Sequence, residues 1–271
     1  MSVTGRVQRT GVEVDRSEWV DRAVRIGLVA YGVVHLLIAW LAVRLALGDS
    51  SGSASSQGAF HQLARTGAGR VLLYVVAFGF LSLVLWQALE ALLGHLDEDG
   101  AKRVVKRLAS AGKAVVYATL AASAVKTAAG SSGGGGTDGL SQRLMRMPGG
   151  PVLVGAVGLG VLVVAGVLAW RGCSGDFASK LDPRGRSGSD GRLYLLLGRA
   201  GHLAKSVALA GVGVLFLYAA FTHDPKRSGG LDAALHKVLQ QPFGQPVLAV
   251  IALGLACFGL FCFAWARHLS R

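Results

Sequence analysis

The chain has 271 residues, 52% apolar and 16% charged, with a mean hydropathy of +0.49. Soluble domains carry about 25% charged residues, so this composition excludes an ordinary water-soluble domain. The net charge of +13 does not point to nucleic acid, because the cations sort by their place along the chain instead of forming one basic patch.

Residues 1–24 are polar and charged, with Arg6, Arg9, Glu13, Asp15, Arg16, Glu18, Asp21 and Arg22. They hold no apolar stretch of the kind a cleavable secretory signal needs. Six apolar runs follow, at 26–47, 71–93, 110–129, 152–170, 201–221 and 246–266. Each approaches the ~20 residues that span a ~30 Å hydrocarbon layer at 1.5 Å per residue. Runs this long without alternation read as helices, which satisfy their own backbone hydrogen bonds in lipid.

The loops between the runs alternate in character. After the first, third and fifth runs come Gly- and Ser-rich stretches at 49–58, 130–136 and 222–230, which read as mobile linkers. Each leads into a short helical pattern, at 57–65, 140–147 and 231–239. These three are expected to lie on the outer membrane surface. Between the second and third runs, 94–106 is short and charged. Between the fourth and fifth, 171–190 is rich in Gly, Ser and Asp and contains Pro183, so it reads as partly disordered.

Three internal copies are visible. Shifts of 82 and then 92 residues superpose Arg25, Arg107 and Arg199, then Gly27, Ala109 and Gly201, then Tyr31, Lys113 and Lys205. Gly79, Gly160 and Gly254 coincide in the second halves. The expected fold is therefore an all-α integral membrane protein with six transmembrane helices. Residues 1–24 form a polar cytoplasmic segment, 25–95 the first repeat, 107–172 the second, 173–198 a cytoplasmic linker and 199–268 the third. Two crossings per repeat give every copy the same orientation, so the copies relate by an axis along the membrane normal, as a pseudo-threefold bundle or, alternatively, a side-by-side row.

Orientation follows from cation counts. The termini side of this layout carries 17 Lys and Arg, the other side 7. The bias places both termini in the cytoplasm of a cell with a plasma (inner) membrane. The basic face then meets anionic headgroups, each cation contributing about 1 kcal/mol near that surface.

Within the repeats, Gly32-Val33-Val34-His35, Ala114-Val115-Val116-Tyr117 and Ser206-Val207-Ala208-Leu209 form one recurring string. The third repeat adds Thr222-His223-Asp224-Pro225 and Gly229-Gly230-Leu231-Asp232-Ala233-Ala234-Leu235. Over residues 24–268 this resembles the domain-of-unknown-function 1206 family of bacterial, chiefly actinobacterial, membrane proteins. The resemblance implies six helices in three two-helix repeats and no assigned activity, so no catalytic residue carries over. Tyr31 departs from that family's basic position.

Chemistry has few places to reside. Lys113 and Lys205 lie six residues past an Arg, about 9 Å deeper at helical rise. They face either the bundle axis, forming a ring with Tyr31, or the interface by snorkelling, which is the simpler reading. Glu90 is the one acid inside an apolar run. It either pairs with Lys113 or sits at the interface. His35, mid-helix, reads as a hydrogen-bonded packing residue, since no His or carboxylate stands at i±3 or i±4. Cys173, Cys257 and Cys262 show no metal or disulfide spacing. His61, His223 and His236 sit in different loops without ligand spacing.

No cofactor, metal or catalytic set is expected. The leading expectation is a non-enzymatic scaffold or accessory subunit of a membrane assembly, with a protein partner or a second copy of itself and no nucleic acid. The alternative is a small channel or transporter along the pseudo-threefold axis.

Overall fold

The computed structural model describes residues 3–49, 52–94, 100–130, 144–224 and 229–269, with side chains from residue 21 onward, 23 excepted. The glycine run 133–136, most of the expected short helix at 140–147, and the cations at 226 and 227 lie outside these residues.

The regular structure of the described residues is helical apart from one isolated bridge between Leu181 and Leu269. In chain order the helices are α1 (Val3–Ala46), α2 (Ser56–Ala64), α3 (Gly67–Leu93), α4 (Gly100–Ala128), α5 (Gly150–Ser174), α6 (Pro183–Arg186), α7 (Gly188–Thr222), α8 (Leu231–Leu239) and α9 (Gly244–Arg267). A 3₁₀ turn, Asp176–Lys180, stands between α5 and α6. Six helices are long and apolar enough to cross a membrane: the Val24–Ala46 part of α1, with α3, α4, α5, α7 and α9. Their outer faces expose residues such as Val71, Phe78, Leu81 and Leu85 on α3 and Val163, Val164 and Val167 on α5. In water so large an apolar surface would drive association; in hydrocarbon it is the solvated surface. The protein is a multi-pass membrane protein.

The spans follow a cyclic rule. α3 packs along α4, α5 along α7, and α9 along α1. Each pair joins the second helix of one repeat to the first helix of the next, which is the pseudo-threefold relation. Within repeats, α1 packs on α3 and α7 on α9, but α4 and α5 do not run against each other. The bundle is thus a ring open at one seam, an arc α4–α3–α1–α9–α7–α5. Burial follows the arc: the spans of α1 and α9 are the most covered, those of α4 and α5 the least.

Glycine marks the close crossings. Without a driving force from water, helices in lipid associate by close packing, and small residues permit it. A Cβ added at Gly27 would stand 2.7 Å from Leu83 Cγ and 3.0 Å from the Gly79 carbonyl oxygen across the α1–α3 contact. In the third repeat, a Cβ at Gly201 would meet Phe258 Cα at 2.5 Å, and one at Gly254 would meet Ala204 Cβ at 2.1 Å. The second repeat has Ala109 at the first of these positions. Its Gly160 meets nothing within 4 Å. Between repeats, Gly32 and Gly259 bring α1 and α9 together, and Gly158 and Gly213 bring α5 and α7 together.

Two expectations from the sequence need correction, for the first outer loop and for the segment between α5 and α7. Two short helices among the described residues, α2 and α8, pack against the bundle. α2 buries Ala59 and Phe60 completely against α1, α3 and α4, and α8 buries Ala234 and Leu235 against α7 and α9. The first outer loop is not a loose linker. Ala54 is fully buried and its N–H donates to Asp232 Oδ1 at 2.6 Å, tying the first repeat to the third.

The segment between α5 and α7 is ordered as well. Phe177 and Leu181 are fully buried and anchor it. Asp182 caps α6 by accepting from the Gly185 N–H at 2.6 Å, and its own N–H donates to the His268 carbonyl at 2.8 Å. Composition in that stretch signalled disorder, but two aromatic or aliphatic anchors four residues apart outweigh it. The polar N-terminal segment likewise continues α1 backward as helix, with no proline to stop it.

Candidate functional site

One cation of the spans, Lys205, is held among aromatic rings. Its ammonium donates to the Tyr31 hydroxyl. It also lies 4.1 Å from the Phe258 ring centroid and 4.5 Å from that of Tyr31. The Tyr31 ring packs edge-on against Phe80 at 6.4 Å, Tyr117 at 6.0 Å and Phe258 at 5.9 Å. These side chains come from α1, α3, α4, α7 and α9. A desolvated cation over aromatic faces gains about 2 kcal/mol, and the hydroxyl supplies a neutral acceptor. Lys205 is therefore held inside the bundle and does not snorkel to the interface. The same rings occupy the axis where the three repeats meet.

Of the residues expected to form a ring, Tyr31 and Lys205 meet and Lys113 does not join them. Lys113 is exposed on α4, facing the charges of Arg171 and Glu90. Tyr117, one turn further along α4, takes the inward position. Glu90 is half-buried near the end of α3, within electrostatic reach of Lys113.

His35 is buried, and its Nδ1–H donates to the Tyr31 carbonyl at 2.8 Å, four residues back in the same helix. Its ring packs 4.8 Å from Phe258. His202 repeats the arrangement on α7. It is 4% exposed, donates to the Gly198 carbonyl at 2.7 Å, and stacks on Phe177 at 4.9 Å. Both imidazoles thus spend one nitrogen on a backbone carbonyl, which fixes that nitrogen as the protonated one. Among the described residues no three His, Cys, Asp or Glu side chains are grouped to hold a metal ion.

A second set of cations stands nearer the termini. Lys180, in the turn after α5, lies 4.2 Å over the Trp265 ring. Burial pushes its ammonium down to about 8, and the nearby Arg171, Lys113 and Lys205 charges push the same way, while Cys262 opposes them. Arg171 has Asp176 at 3.9 Å. Asp182, in the same connection, is held below the usual carboxylate range by the Gly185 N–H and by His268, whose Nδ1 is 3.2 Å away. Trp265 packs half-buried against Phe261, and its indole N–H is buried without an acceptor among the described residues.

Lys180, Tyr117, His202 and Phe258 escaped the sequence reading. Lys180 looked like one more cation of a polar linker. Its signal was the Phe177 and Leu181 pair on either side of it, which marks a segment returning to the core. His202 follows Arg199 by three residues at the start of the fifth apolar run. Nothing on its own helix shows that Phe177 covers it.

Comparison with known proteins adds kinship. The family described as Domain of Unknown Function (DUF1206) matches three times, at residues 26–94, 108–175 and 200–268, once for each repeat. The Bacillus subtilis (strain 168) protein described as "Uncharacterized protein YxxB" is 29% identical over 252 residues, covering 92% of this chain and 91% of its own length. No solved structure matches. With its three repeats each matching that family, the chain belongs to the Domain of Unknown Function (DUF1206) family.

Proposed function

We propose that this protein is a non-enzymatic scaffold or accessory subunit of a membrane assembly in the bacterial plasma membrane, with both termini in the cytoplasm. One observation carries the reading: the Lys205 ammonium and the two buried imidazoles each already have a hydrogen-bond partner within the protein. Lys205 is taken by Tyr31, and His35 and His202 by their own backbone. General acid–base catalysis needs such groups free to reach a substrate. The side left to interact is the apolar flank of α4 and α5, the two least buried spans. The cation bias of 17 to 7 along the chain supports the orientation.

The channel reading is weaker. Tyr31, Phe80, Tyr117 and Phe258 meet on the axis, and Phe80 and Phe258 are buried. The path such a channel needs is filled by rings in this conformation.

Mild solubilisation of native membranes and affinity recovery of the full chain test the proposal. A protein partner or a second copy in fixed stoichiometry is the expected result. Recovery of the bare monomer overturns it. A reporter fused after Arg271 tests the orientation separately. Activity on the outer side of the membrane would reverse it.

A further inference from the structure

We propose that Lys205, with the hydroxyls of Tyr31 and Tyr117, binds the carboxylate of a long-chain carboxylic amphiphile whose tail leaves the bundle between α4 and α5. The inference goes beyond the scaffold reading and does not rest on it.

Lys205 brings a charge into the spans that no acid balances. Among the described residues no carboxylate lies within ion-pair distance of its ammonium, and the Tyr31 hydroxyl is its one hydrogen-bond acceptor. An ammonium has three N–H donors. The Phe258 and Tyr31 rings, at 4.1 and 4.5 Å, offer it π faces and no further oxygen. The Tyr31 hydroxyl accepts from Lys205, so its own proton is left to donate, and no acceptor for it stands among the described residues. Tyr117, its ring 6.0 Å from that of Tyr31, adds a second hydroxyl without a hydrogen-bond partner among the described residues. A carboxylate accepts on both oxygens and supplies the missing counter-charge, which offsets the cost of holding an ammonium out of water.

The cluster stands between the two helices that border the gap in the arc. One residue beyond Lys205, the Ser206 hydroxyl donates to the Ala165 carbonyl of α5 at 2.8 Å. On the other flank, Tyr31 meets Tyr117 of α4. α4 and α5 do not run against each other, so the cluster opens toward lipid between them. Exposure agrees. Phe80 and Phe258, on the walls made by α3 and α9, are 0% and 4% exposed, whereas Lys205, Tyr31 and Tyr117 are only half-buried.

Depth selects the ligand. Lys205 lies six residues past Arg199, about 9 Å deeper at helical rise. A phospholipid phosphate stays at the headgroup level and falls short of it. A single-chain carboxylate can sink that far while its tail remains in hydrocarbon.

The test uses the full chain, purified in a neutral detergent and stripped of lipid. Palmitate, hexadecanol, acetate and phosphatidylglycerol are added separately, with bound ligand counted by native mass spectrometry and thermal unfolding followed in parallel. One palmitate should be retained, about tenfold tighter than hexadecanol, a difference of about 1.4 kcal/mol. Acetate should not stabilise the fold, and phosphatidylglycerol should bind more weakly than palmitate. Lys205→Met should bring palmitate and hexadecanol within about twofold of each other. Tyr117→Phe keeps the ring and removes one hydroxyl. It should weaken palmitate severalfold without moving the melting temperature of the ligand-free protein, so a misfolded Lys205→Met does not end the test. Lys113→Gln removes the exposed cation at the equivalent position of the second repeat and should keep the preference. Equal retention of palmitate and hexadecanol, stabilisation by acetate alone, or tighter binding of phosphatidylglycerol would each overturn the proposal. So would an unaltered preference in folded Lys205→Met, unaltered palmitate affinity in Tyr117→Phe, or loss of the preference in Lys113→Gln.

Discussion

Lys205 and Tyr31 illustrate how a charge is kept inside a membrane protein. Removing one member of a buried pair leaves the other unsatisfied, and that costs more than removing the charge itself. Tyr31→Phe should therefore lower thermal stability in detergent by about 1–3 kcal/mol. Lys205→Met should cost less, because it leaves a hydroxyl and not a cation without a partner. The double variant should resemble Lys205→Met. The opposite ranking would show that the hydroxyl does not hold the ammonium.

Lys180 and Asp182 make stability depend on pH in two separate windows. The folded form holds the Lys180 ammonium at about 8, below its ordinary 10.5. Between those values the unfolded chain binds more protons, so stability rises with pH there. Lys180→Met should lack that rise, read as the difference between the two melting curves from pH 8 to 10.5. Asp182 has the opposite requirement. Its folded carboxyl titrates below the ordinary 3.8, so its contribution is complete above that value and disappears as pH falls through the depressed one. Asp182→Asn should flatten the acid limb of the curve. None of this was legible from the sequence, because both residues belong to a stretch whose Gly, Ser and Asp content resembles a solvated linker.

Among the elements, the six spans were readable from run length alone, and their pairing was not. Gly27 and Gly79, or Gly201 and Gly254, can be aligned by eye across the repeats. That they fall at helix crossings becomes visible only when both helices are in place. The measured clearances then separate three glycines that composition treats alike. Gly27→Leu and Gly201→Leu must overpack a crossing and should each lower stability by about 1–3 kcal/mol. Gly160→Leu should be neutral within error, measured by the same thermal unfolding in detergent. A large loss at Gly160 would mean that α4 and α5 close on each other after all. The short helices carry a related lesson. Their apolar faces were legible at 231–239, where Leu231, Leu235, Val238 and Leu239 share one side. Whether that side met headgroups or helices was decided by α7 and α9, which offer it a groove.

For the whole molecule, threefold repetition and same-way insertion were both available from the sequence, since two crossings per copy leave no other choice. The open seam was not legible, since the second repeat differs from the others at this crossing only by Ala109 in place of glycine. A ring of identical copies would present the same flank in every direction of the membrane plane. This one has a front. A neighbour that recognises the seam is docked at a fixed compass bearing relative to the other five helices. Two molecules meeting seam to seam would form a closed pair, not an open-ended row. The break in the ring thus gives the protein one flank unlike the others, and with it a direction.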